Sequence, residues 1–430
     1  MQLNEKQSYA MKQVALGKNV FISGPGGVGK SVVTRRILEQ FSDSTVLVAP
    51  TGIAALNIGG ATIHRTFLFP TNVLTSYHAK NFKPLTGSLF SVDGPVRRIV
   101  IDEISMTRAD TFIAMDHTLR HIRRKNMPFG GLQVIVVGDF YQLPPVLTDN
   151  DKPKFHEVNQ SEFCFATESW SSAGFEYIEL DQIMRQSDQD FITHLQAVRR
   201  AASDRISDAI DFFNSRSELN KPYIYDAYDP VFLSTTNKNA DIVNQEHYSQ
   251  LSGEEHTYVA SYSSDMKIHP VSVNLNLKFG TKVMFCANTD DYKNGEIGFV
   301  TGFPTRDSVE VTKDNNNEDT VIVREYKWNE IEYTNSNGEL IKKAAGYFKQ
   351  LPLKHAWGIT IHKSQGLTLP SAVIDFGRNC FASGQAYVAL SRVKNIDGFF
   401  LQRPFKKSDI IVAPEIKEFY ENGAKGIGLF

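Results

Sequence analysis

The chain has 430 residues, with 46 Lys or Arg against 48 Asp or Glu and a formal net charge of -2. That length exceeds one ordinary core, so two or more domains are expected, and the near-neutral balance excludes a generally basic nucleic-acid coat, leaving only a local channel for any such partner. Cys164, Cys286 and Cys380 lie far apart without CxxC spacing, against a zinc module or disulfide framework; no apolar run approaches the ~20 residues of a bilayer span, and the start MQLNEKQSYA resembles neither a secretion signal nor a transit peptide, so a cytoplasmic protein is expected.

From the start to about Glu179, the apolar runs VFIS (20–23), TVLVAP (45–50), RRIVIDE (97–103), QVIVVGD (133–139) and YIEL (177–180) alternate with helical patterns. That alternation predicts a parallel sheet flanked by helices. GPGGVGKS (Gly24 to Ser31) follows the first run and opens a helix-compatible stretch. Its loop Gly24, Gly26, Gly27, Val28 and Gly29 can wrap backbone N–H groups around a polyphosphate, with Lys30 reaching the β and γ phosphates and Ser31 holding Mg²⁺. Ala61 to Gly94, rich in Thr, Ser, Phe and Pro, reads as an insert.

IDEIS (101–105) ends a strand in two carboxylates, which suits Asp102 to Mg²⁺ and Glu103 to orienting and deprotonating a water. In Thr107 to Arg124, Phe112, Met115, Leu119 and Ile122 recur at helical spacing, and Arg120, Arg123 and Arg124 read as a solvated face. GDFYQLPPV (138–146) places Gln142 at a third strand end before a rigid Pro144-Pro145 step. A Gln there suits the γ-phosphate or the attacking water, although an ordinary loop reads the same way.

A second α/β unit is expected from near Tyr177: Phe191, Leu195 and Val198 mark a helix, VFLST (231–235) a strand, and Asn237 to Leu251 another helix. From about Glu255 to Gln350 the texture changes to short alternating strands, KVMFCA (282–287), EIGFVTG (296–302), SVEVT (308–312) and TVIVREY (320–326), with KDNNNED (313–319) as a polar turn. This predicts a small β-barrel inserted into the second unit, which resumes near Leu351. Arg185 in DQIMRQ and Arg392 in ALSR could spread the charge of a transferring phosphoryl group or could be surface ion pairs. Gln365 in TIHKSQG and Arg392, so far from the glycine loop, suggest a site closed by a second lobe.

The order APTGIAA (49–55), ATIH (61–64), IDEISM, PFGGLQVIVVGDFYQLPPV (128–146), DQIMRQ, KNGEIGFV (293–300), AWGITIHKSQGLTL (356–369) and QAYVALSRV (385–393) closely resembles the Pif (petite integration frequency) family of superfamily 1B DNA helicases. The resemblance covers nearly the whole chain, and the stretch from Ile101 to Asp139 looks like that family's own signature. It implies an α/β fold of two RecA-like domains with ATP between them (1–60 and 95–176; 177–254 and 351–430), a wedge insert at 61–94, a barrel of the Src-homology type at 255–350, and ATP-driven 5′-to-3′ movement on single-stranded DNA. Gln7 matches the adenine-reading glutamine, and Lys30, Ser31, Asp102, Glu103, Gln142, Arg185, Gln365 and Arg392 match ATP-site positions. For DNA the match points to Thr51, His64, Pro144, Asn237 and the His362-Lys363-Ser364 step, all able to hold phosphates without reading sequence. His64 or Phe67 could stack on a base; equally, Phe67 and Phe69 could be core and His64 a helix cap.

The implied partners are single-stranded DNA and 5′-tailed or forked duplex, with G-quadruplexes and RNA–DNA hybrids left open, and the chain is expected to be a compact, monomeric motor of bacterial or phage type. Repair, recombination and telomere maintenance are the processes implied. A GTPase would need an NKxD-type guanine reader, and NKNAD (237–241) has the wrong spacing; a protein kinase is suggested only by DFG (375–377). The close alternative is a DNA-stimulated ATPase that remodels protein–DNA complexes without efficient unwinding.

Overall fold

A computed structural model describes residues 2–216, 218–219, 229–266, 268–314 and 319–426. They fall into two compact units. The first comprises Met1–Met184, Glu330–Ala345 and Ala413–Phe430, the second Arg185–Asn329 and Gly346–Val412.

In the first unit, β1 (Val20–Ser23), β2 (Thr45–Ala49), β3 (Ala61–Thr62), β4 (Arg98–Ile101), β5 (Gln133–Val137) and β6 (Glu176–Glu179) form one parallel sheet in the order β3-β2-β4-β5-β1-β6. The central strands β1, β2 and β5 are buried at every position, which is why they read as unbroken apolar runs rather than alternating ones. Ala10 and Val14 of the helix Glu5–Ala15, with Val33 and Ile37 of Lys30–Phe41, pack on Val20 and Ile22 of β1.

Three expected boundaries move. Glu176–Glu179 pairs in parallel with β1, Val20 opposite Glu176, so it is the edge strand of the first sheet rather than the start of the second unit, and the first unit runs on to Met184. Ala61–Thr62 likewise pairs with Val48 and Ala49 and closes the other edge. The rest of the expected insert is short helices, Ile63–Phe67, Ser76–Lys80 and Pro84–Phe90, anchored to the helix Ala109–Arg123: the Leu74 N–H donates to Asp110 Oδ2 at 2.8 Å and Thr118 Oγ1 to the Ala79 carbonyl at 3.3 Å. The third change is that 413–430 returns to the first unit, where Phe419 of the helix Pro414–Glu421 packs its ring 4.4 Å from Phe165 and 5.4 Å from Phe140.

The signature stretch owes its composition to one buried carboxylate. Asp116, with no exposed surface, accepts bonds from Arg120 Nε and Nη2 (2.8 and 2.9 Å), the Phe129 N–H (2.6 Å) and Ser169 Oγ (2.7 Å). Arg123 donates to the carbonyls of Gly130, Phe90 and Ser91. Arg120 and Arg123 are therefore fasteners, not the solvated face expected of them. Between them they hold a tight turn in which Phe129, Gly130 and Gly131 all have positive φ (51°, 61° and 74°). A Cβ on Gly130 would lie 2.5 Å from the Leu119 carbonyl oxygen, so only glycine fits.

The second unit is built on five parallel strands in the order Gly358–Thr360, Val231–Ser234, Ala372–Asp375, Phe399–Leu401, Glu218–Leu219. The helix Gln189–Arg200 carries the expected markers Phe191, Leu195 and Val198, and Asn237–Gln250 matches its expected span to within one residue. The inserted strands are antiparallel, in the order Thr320–Arg324, Ser308–Lys313, Ile297–Thr305, Lys282–Phe285, Leu353–His355, so the inserted sheet reaches past the expected limit at 350. Residues 315–318 of the expected turn KDNNNED lie outside the described residues. A hairpin of Tyr326–Ser336 and Glu339–Gln350 carries 330–345 into the first unit, where the Tyr333 hydroxyl bonds the N–H and carbonyl of Leu47 (3.2 and 3.4 Å).

Asp116→Ala removes a buried hub and leaves Phe129 N–H, Ser169 and Arg120 without their acceptor. The first unit is expected to lose about 2–4 kcal/mol of stability, measured as a lower denaturant midpoint; a loss below about 1 kcal/mol would contradict the role given to Asp116.

Candidate functional site

Three neighbouring strands end side by side. In the sheet order β4-β5-β1, Ile101 lies opposite Val136 and Ile22 opposite Val137, so Asp102, the 138–142 segment and the loop after Ser23 emerge together at the carboxyl edge. That edge is where open parallel sheets bind ligands.

The loop after β1 takes positive φ at Gly24 (138°), Gly27 (84°) and Gly29 (82°) and delivers Lys30 as the first residue of its helix. A side chain at Gly24 would meet the Leu180 carbonyl oxygen at 2.2 Å, and one at Gly29 would meet Gln7 Nε2 at 2.6 Å. The protein thus packs closely against the loop at both glycines, and the loop leads into a helix N-terminus, where backbone N–H groups suit an anion. Lys30 Nζ donates to the carbonyls of Gly24 (2.7 Å) and Pro25 (3.0 Å), holding the ammonium over the loop where phosphates would lie. Gln7 is buried against the same loop: its Nε2 donates to the Val28 carbonyl at 3.2 Å, and its Oε1 accepts the Asn4 N–H in a capping box. Gln7 is therefore a loop-contacting residue, not a surface residue of the first helix.

Asp102 and Glu103 follow β4. Asp102 is buried, and desolvation, reinforced by the charge of Glu103, pushes its pKa up to about 7; the Glu103 N–H (2.9 Å) and Lys30 pull the other way. Glu103 has φ 50° and ψ 45°, a left-handed conformation that costs a non-glycine residue on the order of 1–3 kcal/mol and clusters at functional sites. Space for that bend comes from Gly138, whose Cβ would lie 2.9 Å from Ile104 Cγ2. The donor set fits a small hard divalent cation, which takes one or two carboxylates, a hydroxyl such as Ser31, phosphate oxygens and waters.

Gln142 is buried, its amide N–H on the Asp139 carbonyl (2.9 Å) and its side-chain Nε2 3.5 Å from Asp139 Oδ2. Asp139 also accepts the Tyr141 N–H at 3.2 Å, which fixes the turn between the strand and the prolines.

In the second unit, Arg185, Gln365 and Arg392 gather around one pair of turns. Arg185, largely buried and held below the usual guanidinium range by that burial, donates to the carbonyls of Ser391 (3.3 Å) and Gly366 (3.2 Å). Gln186 donates to the carbonyls of Ser391 and Val393 (3.2 and 3.0 Å). Arg392 corrects its expected role as an arginine finger. Only 1% exposed, it donates to the carbonyls of Val388 (2.6 Å), Ser364 and Leu367 (both 3.1 Å) and to Ser391 Oγ (2.6 Å), so in this structure its guanidinium is a staple between the two turns.

Of the residues expected to meet DNA, Lys363 and Asn237 are exposed, while Thr51, His64, Pro144 and His362 are partly exposed. Thr51 and Thr62, not His64, cap the helices Gly52–Ile58 and Ile63–Phe67. Burial, with Arg108 nearby, lowers the pKa of His64, and burial lowers that of His362, which suits both rings to stacking rather than to charge. Two expectations fail on burial. Phe67 is 1% exposed and stacked between Phe69 and Phe90 (5.2 and 5.0 Å), so its faces are taken; Ser364 is fully buried, with Oγ donating to the Ile361 carbonyl at 2.7 Å. Phe381 was overlooked: 64% exposed, it lies 6.2 Å from the His362 ring at an interplanar angle of 16°. A lone phenylalanine in the polar, glycine-containing RNCFASG was the available signal.

The chain matches the family model described as PIF1-like helicase over residues 2–208. It is 33% identical to the ATP-dependent DNA helicase PIF1 of Homo sapiens over 455 residues, covering 100% of this chain and 65% of the relative, so it spans slightly under two thirds of that protein. It is 30% identical to the Campylobacter jejuni helicase Pif1, covering 90% of this chain and 89% of the relative. A crystal structure of Bacteroides sp Pif1 with ADP-AlF4 superposes with a TM-score of 0.88 at 30% identity, covering 99% of both chains; a structure of Bacteroides Pif1 bound to single-stranded DNA gives 0.69 at 30% identity over 98% and 97%.

Because the pKa of Asp102 is raised on folding, its ionisation opposes the folded state: the penalty is absent below the unfolded value near 4, builds as pH rises and is complete above about 7. In metal-free and nucleotide-free protein, Asp102→Asn is expected to raise the unfolding temperature at pH 8 and to do so little at pH 4.5. An equal gain at both pH values would contradict the charge as its cause.

Proposed function

Because the chain belongs to the PIF1-like helicase family, we propose that it is an ATP-dependent DNA helicase that moves 5′ to 3′ along single-stranded DNA and separates duplex ahead of it. The observation that carries this reading is the convergence of the phosphate loop, the Asp102-Glu103 pair and Gln142 at adjacent strand ends. The loop N–H groups and Lys30 hold the β and γ phosphates, with Gln7 beside the loop to contact the base. Asp102 and Ser31 hold Mg²⁺, which when bound draws charge from the phosphate oxygens. Glu103, held in a left-handed backbone conformation, accepts the proton of the attacking water. Gln142 orients that water or the γ-phosphate.

Within the second unit, Arg185 and Arg392 fix the turns 364–367 and 388–391 that carry Gln365. On DNA, Thr51 and His64 of the first unit, and Asn237, His362, Lys363 and Phe381 of the second, offer phosphate donors and ring faces, so each unit by itself has groups that hold a strand without reading sequence. Ser364 contributes only through its backbone. The complexes of Bacteroides sp Pif1 with ADP-AlF4 and of Bacteroides Pif1 with single-stranded DNA support both substrates.

Unwinding of 5′-tailed and 3′-tailed duplexes with and without ATP tests the reading. Separation of the 5′-tailed duplex alone, and only with ATP, is expected; preference for the 3′ tail, or ATP-driven movement without strand separation, would contradict it. Lys30→Ala and Glu103→Gln are each expected to lower DNA-stimulated turnover by about 10²-fold or more, and substantial turnover in either would remove the site from the mechanism.

A further inference from the structure

The C-terminal helix brings one polar side chain to the strand ends of the first unit. The Tyr420 hydroxyl lies 3.0 Å from Ser23 Oγ, on the last residue before the phosphate loop, and accepts the Phe140 N–H at 3.2 Å on the segment leaving β5. Its ring lies parallel to Tyr141, with centroids 4.7 Å apart and planes at 9°. The apolar anchoring of this helix is done by its neighbour Phe419, which is fully buried among Phe21, Phe140, Phe165 and Trp170. Packing alone therefore does not call for a hydroxyl at 420. Ser23 is itself fully buried, so the phenol gives that side chain and the Phe140 N–H a partner at once.

These contacts bracket the site. One end of the link is the residue that launches the loop carrying Lys30; the other is two residues before Gln142, whose own turn is closed on Asp139. We propose that Tyr420 is a positioning residue for ATP turnover, fixing Gln142 relative to the phosphate loop and making the last helix part of the nucleotide site. The proposal rests on the function proposed above. Its physical basis is that a displacement of about 1 Å in a positioning group costs catalysis far more than it costs binding or folding.

Tyr420→Phe keeps the ring, its stack on Tyr141 and the helix, and removes only the link. Steady-state ATP hydrolysis with saturating single-stranded DNA, run beside thermal unfolding, is expected to show kcat lowered roughly three- to tenfold, with KM for ATP within about twofold and the unfolding temperature within about 2 °C. Adding Ser23→Ala is expected to cost nothing further, since both substitutions break the same link. An unchanged kcat, a loss of kcat in step with a large fall in unfolding temperature, or fully multiplicative losses in the double variant would overturn the positioning role. Wild-type protein without DNA-dependent turnover would overturn the helicase reading itself and this role with it, an outcome visible before any variant is compared.

Discussion

The architecture of the first unit follows from one electrostatic constraint: two adjacent carboxyls, one of them buried, have to sit at a strand end beside a lysine and a loop of backbone N–H groups. Burial and the Glu103 charge drive Asp102 towards its neutral form, and Lys30 with a single backbone N–H only partly offsets this. The metal-free site is therefore poised for additional positive charge. The parallel sheet makes such a site tenable, because its carboxyl edge collects loop ends from β4, β5 and β1 that are distant in sequence. Glu103 in its left-handed conformation and Gly138 packed under Ile104 show the local strain that the surrounding sheet has to hold in place.

The scaffold around that edge consists largely of polar side chains bonded to backbone. Asp116 and Arg123 fasten the 128–131 turn below β5, while Tyr420 spans Ser23 and Phe140 above it. In the second unit the same device recurs with arginines: Arg185, Gln186 and Arg392 donate to the carbonyls of the 364–367 and 388–393 turns. A guanidinium bonded to neutral carbonyls in this way holds a fixed shape and keeps its full positive charge, so the turn it organises stays cationic.

Much of this was legible because it is local. Continuous apolar runs announced buried parallel strands, and the glycine spacing of 24–29 announced the phosphate loop, since both signals depend only on neighbours in sequence. The misses are non-local. YIEL reads both as the last strand of the first alternation, which its pairing with Val20 to Ser23 bears out, and as the start of the next unit, and nothing in its four residues places the boundary after it. The helix Pro414–Glu421 joins the first unit through Phe419, whose partners Phe140 and Phe165 are distant in sequence, so no local pattern marks that return. Arg392 reads as a phosphoryl-contacting cation or a surface ion pair because its actual partners are carbonyls, which carry no sequence signature, and Phe67 reads equally as a base-stacking ring or as core until its stacking on Phe69 and Phe90 decides for core.

If the central claim is right, nucleotide and cation are two halves of one ligand. The direct measurement is the unfolding temperature of the whole chain with a non-hydrolysable ATP analogue, in Mg²⁺ and in a chelator. The account predicts a clear rise with analogue and Mg²⁺ together and a much smaller one with the analogue in chelator. Equal stabilisation in both, or none in either, would contradict a site whose acid pair is built around a bound cation.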